Sequence, residues 1–400
     1  MVKYQYMPLN DNVEEMFIGP FGSSLKNDSF VDESDAFCMV YEQKHAIKKT
    51  MNLETRYVNR EKYEELKRFN IHGGDIIVSC RGTIGETYIV PDDAPLGIMH
   101  PSIMKIRLKP GVYNKQYFNL LLQNYLKQHE DEANGSGIKM AISAKELGAT
   151  LFPVPNMAEQ NQIASAFTQV EELISLRKEQ LAKLDQLVKS RFVELFGDPV
   201  QNPMEWETVL LKSATSKIGS GATPKGGKES YQTEGITLIR SMNVHDGRFE
   251  YKDLAHITDE QAKQLENVTV EENDVFINIT GASVARSCIV PKHILPARVN
   301  QHVAIIRCIT SMLNPMFANH MFLNTSFKGQ LLDIGESSGA TRQAITKQQL
   351  ETLTVILPPL EQQERFATFV EQTDKSKLAV QKSLEQLETL KKSLMQQYFG

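Results

Sequence analysis

The chain has no run of about 18 uncharged apolar residues, so nothing in it is built to span a bilayer. Its opening, Met1-Val2-Lys3-Tyr4-Gln5-Tyr6, lacks the apolar core of a secretory signal, and no such signal is expected. Cysteine is scarce: Cys38, Cys80, Cys288 and Cys308 are all there is, and no two form CxxC. That spacing argues against a zinc site or a disulfide framework and fits reduced thiols in a cytoplasmic protein. A paired-histidine metal motif is missing, as is the glycine-rich turn that opens a dinucleotide or methyl-donor fold. The segment from Gly221 to Glu229 is superficially like a phosphate loop. Its spacing is off by one residue, and Glu229 stands where Ser or Thr would hold magnesium. Pro91-Asp92-Asp93 starts like a nuclease motif, but no Asp/Glu-x-Lys follows, and a turn is the simpler reading. We therefore expect no catalytic residue, metal or cofactor in this chain.

Positive charge is also lacking. The net charge is -5, whereas a simple nucleic-acid binder usually advertises a basic surface. The charge is uneven, however. Between Asn273 and Leu350 seven Lys/Arg (Arg286, Lys292, Arg298, Arg307, Lys328, Arg342, Lys347) face three acids (Asp274, Asp333, Glu336). A basic face on an acidic chain would leave the acidic remainder for protein partners.

What is present is an ordinary globular composition, 41% apolar and 23% charged, in 400 residues. That length exceeds one core and suggests two to four domains. The chain is a tandem repeat at a shift of about 200 residues. Ala141-Ile142 and Leu147 recur as Ala344-Ile345 and Leu350, Pro155 as Pro358, and Gln160 as Gln363. Leu181, Leu184 and Leu187 recur as Leu384, Leu387 and Leu390, and Phe196-Gly197 as Phe399-Gly400. Upstream the likeness is looser: Ile18-Gly19 matches Ile218-Gly219, Asp75 matches Asp274, and Ile106-Arg107 matches Ile306-Arg307. The order is globule (1–155), helix (156–197), globule (198–357), helix (358–400).

The helices show a seam. Ile163, Phe167, Val170, Ile174, Leu181, Leu184, Val188 and Leu195 follow alternating steps of four and three, interrupted only by Arg177 and Arg191. Asn156 with Glu159 can cap the start, and Gly197 with Pro199 can end it. The second seam, Phe366, Val370, Val380, Leu384, Leu387 and Leu394, is weaker, with Thr373, Lys377 and Lys391 at equivalent places. Each helix would run roughly 55–60 Å at 1.5 Å per residue. Neither buries its stripe alone, so an antiparallel coiled coil of the two, with pseudo-two-fold symmetry, is expected. In the globules, Ile76–Ser79, Thr87–Val90 and Ile103–Arg107 read as strands, as do Val275–Asn278, Cys288–Val290 and Val303–Arg307. Tyr117–Leu126 and Phe317–Phe322 read as short helices. Each globule is α+β, and the whole is a multidomain α+β protein.

The segments from Val154 to Ile163 and from Leu357 to Phe366 resemble the PPLxEQxxI signature of type I restriction-modification specificity subunits. Gln362 stands where that signature has Glu, and Asn156 where it often has Pro. The endings Glu194–Pro199 and Gln397–Gly400, with Gly19-Pro20-Phe21-Gly22-Ser23 and Asn300-Gln301-His302-Val303-Ala304, resemble the same family, across essentially the whole chain. The resemblance implies two target recognition domains, each reading one half of a split, asymmetric site in double-stranded DNA. It implies that the helices set the unread spacer and dock two methyltransferase subunits, joined by motor-nuclease subunits. S-adenosylmethionine, ATP and Mg2+ would be used by those partners, in a phage-defence system that methylates DNA.

Base reading needs Arg or Lys for guanine and Asn or Gln for adenine, while Ser, Thr, Lys and backbone amides hold phosphates. Candidate contacts in glycine-punctuated loops of the first globule are Ser23, Ser24, Lys26, Arg81, Thr83, Ser136 and Lys139. In the second they are Thr223, Lys225, Arg240, Thr280, Ser283, Arg286, Asn300, Gln301, His302, Thr341, Arg342 and Gln343. The bland alternative for each is a solvated or turn-forming loop residue, and for His302 a buried, hydrogen-bonded histidine. Two other functions compete: a coiled-coil scaffold with two protein-binding heads, and an enzyme whose site escapes recognition.

Overall fold

The computed structural model describes residues 4–81, 83–136, 143–224, 226–336 and 343–400. The chain forms two compact units, Met1–Leu176 with Leu384–Gly400, and Arg177–Ser383. Each unit therefore holds one globule together with a part of each long helix. This division differs from four consecutive segments, because the apolar helix faces belong to the globular cores.

In the first unit, Val13–Ile18, Ile103–Leu108, Ile76–Ser79 and Thr87–Ile89 form an antiparallel sheet in that order. The run Ile76-Ile77-Val78 is apolar throughout because both faces of this strand are covered. Ile76 and Val78 point into one core with Phe118, Leu122, Ile163 and Phe167, while Ile77 points into another with Met39, Tyr41 and Met99. The second core lies beneath a smaller sheet in which Cys38–Tyr41 and Gly97–Met99 pair in parallel, flanked by Tyr57–Val58 and Asn70–Ile71. A ribbon of Gln5–Pro8 with Leu151–Val154 leads into the first long helix.

The second unit repeats this plan more faithfully than its sequence does. Thr215–Ser220, Val303–Cys308, Val275–Asn278 and Ser287–Ile289 lie side by side in the same order. Val275 and Ile277 point into one core and Phe276 into the other. Ile236–Ile239 and Ala297–Val299 supply the parallel pair, and Thr208–Leu210 with Thr354–Ile356 the ribbon. An ion pair is also repeated. Arg107 holds both oxygens of buried Asp75 at 2.7 Å, and Arg307 holds both oxygens of buried Asp274 at 2.8 Å.

The short helices expected in each globule are longer. Lys115–Ser136 has 22 residues; its counterpart is Pro315–Leu323 followed by Thr325–Glu336. Asn114 and Asn314 set the earlier starts, each side-chain oxygen accepting two amide hydrogens of the first turn. Extended backbone at Asn324 separates the second pair.

The long helices, Met157–Phe196 and Leu360–Phe399, have 40 residues each. Asn156 accepts the Glu159 amide hydrogen at 3.0 Å, so the departure from Pro costs no cap. Gly197, at φ +72°, closes the first helix. Within the first unit, Phe167 packs 6.0 Å from Phe399, and Lys391 pairs with Glu171 at 2.6 Å. Within the second, Phe192 and Phe196 lie 5.5 and 5.6 Å from Phe366, and Lys377 pairs with Asp185 at 2.7 Å. In both units an early stretch of one helix meets a late stretch of the other, so the helices run antiparallel there.

The expected seam needs correction in its partners. Ile163 and Phe167 are core residues of the first globule, and Val188, Phe366 and Val370 of the second. Val170, Val380 and Leu384 are buried, whereas Ile174, Leu181, Leu184, Leu195, Leu387 and Leu394 are half-buried. The aromatic residues Phe192, Phe196 and Phe399 lie off the regular steps and were not in that seam, yet they carry much of the packing.

Candidate nucleic-acid interface

In the first globule three loops meet at one end of the main sheet. The Gly19 amide donates to the Ile103 carbonyl at 2.9 Å, and the Cys80 amide to the Ser102 carbonyl at 2.8 Å. A Cβ at Gly19 would stand 2.3 Å from the His100 oxygen, so the approach requires glycine. Along this rim Phe21 is 87% exposed, Ser23, Lys26, Arg81 and Thr83 are exposed, and Ser24 is half-buried. The second globule builds the same rim. Gly221 donates to the Asn300 carbonyl at 3.1 Å, Ile279 to His302 at 3.0 Å, and Gly281 to Gln343 at 2.9 Å.

On that second rim a line of side chains is joined end to end. The Thr223 hydroxyl donates to Gln301 Oε1. Gln301 Nε2 lies 3.2 Å from His302 Nε2, and His302 Nδ1 lies 2.5 Å from Thr280 Oγ1. Gln301 is exposed, while Thr223, Thr280 and His302 are half-buried. Asn300 is different: it is buried, and its side-chain oxygen accepts the His302 amide at 3.0 Å. It shapes the loop and, at 4% exposure, offers little surface for the direct contact expected of it.

Arg240 stands apart from that line, donating to the Asp253 carbonyl with its guanidinium over Tyr231. Ser283, Arg286 and Gln343 are half-buried, and Gln343 donates to Glu336 at 2.8 Å. Lys139, Lys225, Thr341 and Arg342 lie outside the described residues, as does the side chain of Ser136.

Sequence reading missed the matching group in the first globule, although the repeat sets His100-Pro101-Ser102 against Asn300-Gln301-His302. His100 Nδ1 lies 2.7 Å from Ser102 Oγ. Burial holds the imidazole below its ordinary value, and the Arg56 charge lowers it further, so it is neutral at pH 7. Behind it, burial pushes Glu42 up, but ion pairs to Lys44 (2.8 Å) and Arg56 outweigh this and keep it below the usual carboxylate range. The rim is thus a surface of hydroxyls, amides, imidazoles and cations, suited to hydrogen bonding rather than to bond breaking. Among the described residues no group of three or more His, Cys, Asp or Glu is placed to hold a metal ion. Burial pushes the Cys38 thiol up to about 11 and those of Cys80, Cys288 and Cys308 up to about 12.

The family model described as type I restriction modification DNA specificity domain matches residues 11–186 and again 203–389. The chain belongs to this family. As a specificity subunit it is a DNA-sequence recognition component and not a catalyst, with DNA and the methyltransferase and restriction subunits as partners. The type I restriction enzyme EcoBI specificity subunit of Escherichia coli is 24% identical over 359 residues, 82% of this chain and 73% of that protein. A putative type I restriction enzyme MjaX specificity subunit of Methanocaldococcus jannaschii is 23% identical, over 85% of this chain and 80% of the relative. Two solved structures share the fold. One comes from work on complex assembly and conformational transition of the type I R-M system (TM-score 0.60, 18% identity, 100% of this chain and 98% of that one). The other is a type I S subunit from M. genitalium (TM-score 0.57, 13% identity, 98% and 95%). No helix among the described residues of the specificity subunit is long and apolar enough to cross a membrane.

Proposed function

We propose that each rim reads one half of a bipartite, asymmetric site in double-stranded DNA, and that the long helices fix the unread spacer. The observation that carries this is the repeated rim: three loops brought to the same end of the same sheet in both globules, with different side chains on each. An identical framework bearing different polar residues is what two different half-sites require. Among the rim residues, Ser23, Ser24, Lys26, Thr83 and Ser283 suit phosphates, and Arg81, Arg286 and Gln301 suit bases. Helices of about 60 Å are of the right order to hold half-sites roughly one turn of B-DNA, about 34 Å, apart or somewhat more. Two methyltransferase subunits dock on the helices, and motor-nuclease subunits join them. S-adenosylmethionine, ATP and Mg2+ serve those partners, in the cytoplasm.

The test is a domain exchange. Residues up to Pro155 are replaced by the same segment of a relative, and methylated sites are mapped by sequencing. One half-site should change while the other half-site and the spacer persist. An unaffected methylated sequence would overturn the reading and favour a scaffold with two protein-binding heads.

A further inference from the structure

A side-chain amide becomes a base reader only when its orientation is fixed, because a rotation of half a turn exchanges donor and acceptor. Gln301 is fixed. Its oxygen accepts from Thr223, and its nitrogen meets His302 Nε2 at 3.2 Å. His302 is itself held at Nδ1 by Thr280 and at its backbone amide by Asn300. Proton placement is consistent along the line: Thr223 donates to Gln301, Gln301 to His302 Nε2, and His302 Nδ1 to Thr280.

The amide of Gln301 has two N–H donors and two oxygen lone pairs. The anchors use one of each. One donor and one acceptor remain for a ligand, on a residue that is exposed. In the major groove, that pair complements adenine, which presents the N7 acceptor beside the N6 donor. Guanine offers two acceptors there and would leave the Gln301 oxygen facing another oxygen.

We propose that Gln301 is the residue by which the second globule requires an adenine at one position of its half-site, with Thr223 and His302 as positioning residues. This rests on the reading that the rims recognise DNA. In the first globule the corresponding place is Pro101, which has no side-chain donor, so the first half-site is not read from this position.

The experiment uses the full subunit assembled with its methyltransferase partners. DNA binding is measured on the wild-type site, on every single base substitution in the second half-site, and on duplexes carrying 7-deaza-adenine, which lacks the N7 acceptor. Wild type should lose roughly 5- to 150-fold at one A·T pair when its adenine is replaced, the range of a bidentate pair. At that pair 7-deaza-adenine should also weaken binding. Gln301→Ala should abolish both penalties there while leaving every other position, and the first half-site, unchanged. Thr223→Val, which frees the amide to turn over, should reduce the same discrimination in part. A Gln301→Ala protein that keeps all its preferences overturns the proposal, as does one weakened equally on all sequences, the mark of a phosphate contact. Relaxed discrimination at a G·C pair overturns it too. If the wild-type assembly itself shows no base preference in either half-site, the underlying DNA reading fails.

Discussion

Gln160 and Gln363, one at the start of each long helix, make the same three hydrogen bonds. Gln160 accepts from the Asn114 amide at 2.8 Å and donates to the carbonyls of Val112 (3.0 Å) and Pro155 (2.9 Å). Gln363 accepts from the Asn314 amide at 2.8 Å and donates to Met312 (3.0 Å) and Pro358 (2.7 Å). Both side chains are fully buried, and each amide satisfies three backbone groups at once. Each locks a globular helix, a ribbon and a long helix into one joint.

Replacing either glutamine by leucine should cost about 2–4 kcal/mol, since buried backbone groups lose their partners. Glutamate should be worse: it can accept from the amide but cannot donate to either carbonyl. Denaturant unfolding of the two variants should show similar losses. A change below about 0.5 kcal/mol would mean that water enters and repairs the joint.

The aromatic packing around the long helices predicts an uneven response to truncation. Phe366 is fully buried against Phe192 and Phe196, and Phe366→Ala should cost about 3–5 kcal/mol. Leu181 is half-buried, and Leu181→Ala should cost about 1 kcal/mol. Equal losses would indicate a uniform two-helix zipper instead of helices held by the globular cores.

His320 should make the second unit acid-sensitive. Burial pushes its imidazole down to about 4 from the ordinary 6.5, beside Phe366 at 5.3 Å and with the Lys377 charge adding to the effect. The unfolded chain therefore binds the proton first as pH falls. Stability is whole above about pH 6.5 and drains away toward pH 4, by on the order of 3 kcal/mol. Unfolding curves across this window should be flatter with pH for His320→Leu than for wild type. Parallel curves would assign the acid slope to other groups.

If the helices set the spacer, lengthening them should be visible in the methylated sequence. One heptad inserted after Leu181 and another after Leu384 adds about 10 Å of helix, the length of about three base pairs. Mapping of methylated sites should find the same half-sites farther apart. An unchanged gap in an assembly that still methylates would dismiss the measuring role.

Much of this was readable from the chain. Ile76-Ile77-Val78-Ser79 and Val275-Phe276-Ile277-Asn278 announced themselves as strands because both faces are covered. The long helices were readable from their seam and their caps. The parallel pairing of Cys38–Tyr41 with Gly97–Met99 was not, for it joins short segments far apart in sequence and has no local signature. Helix Lys115–Ser136 was underestimated because its large apolar residues stop at Leu126 while the backbone continues. At the rim, residue type pointed to Thr223, Thr280, Gln301 and His302. Only the folded hydrogen bonds separate exposed Gln301 from buried Asn300 beside it.

The residues that long helices insert into the globules differ between the two halves in a telling way. The first globule receives Ile163 then Phe167, and the second receives Phe366 then Val370. Each pair joins one bulky ring to one branched aliphatic, in reverse order. Transplanting either head onto the other's socket would press a ring where a smaller group belongs, a misfit of about 1–3 kcal/mol. Each head is thereby keyed to its own helix, like plugs with unequal pins.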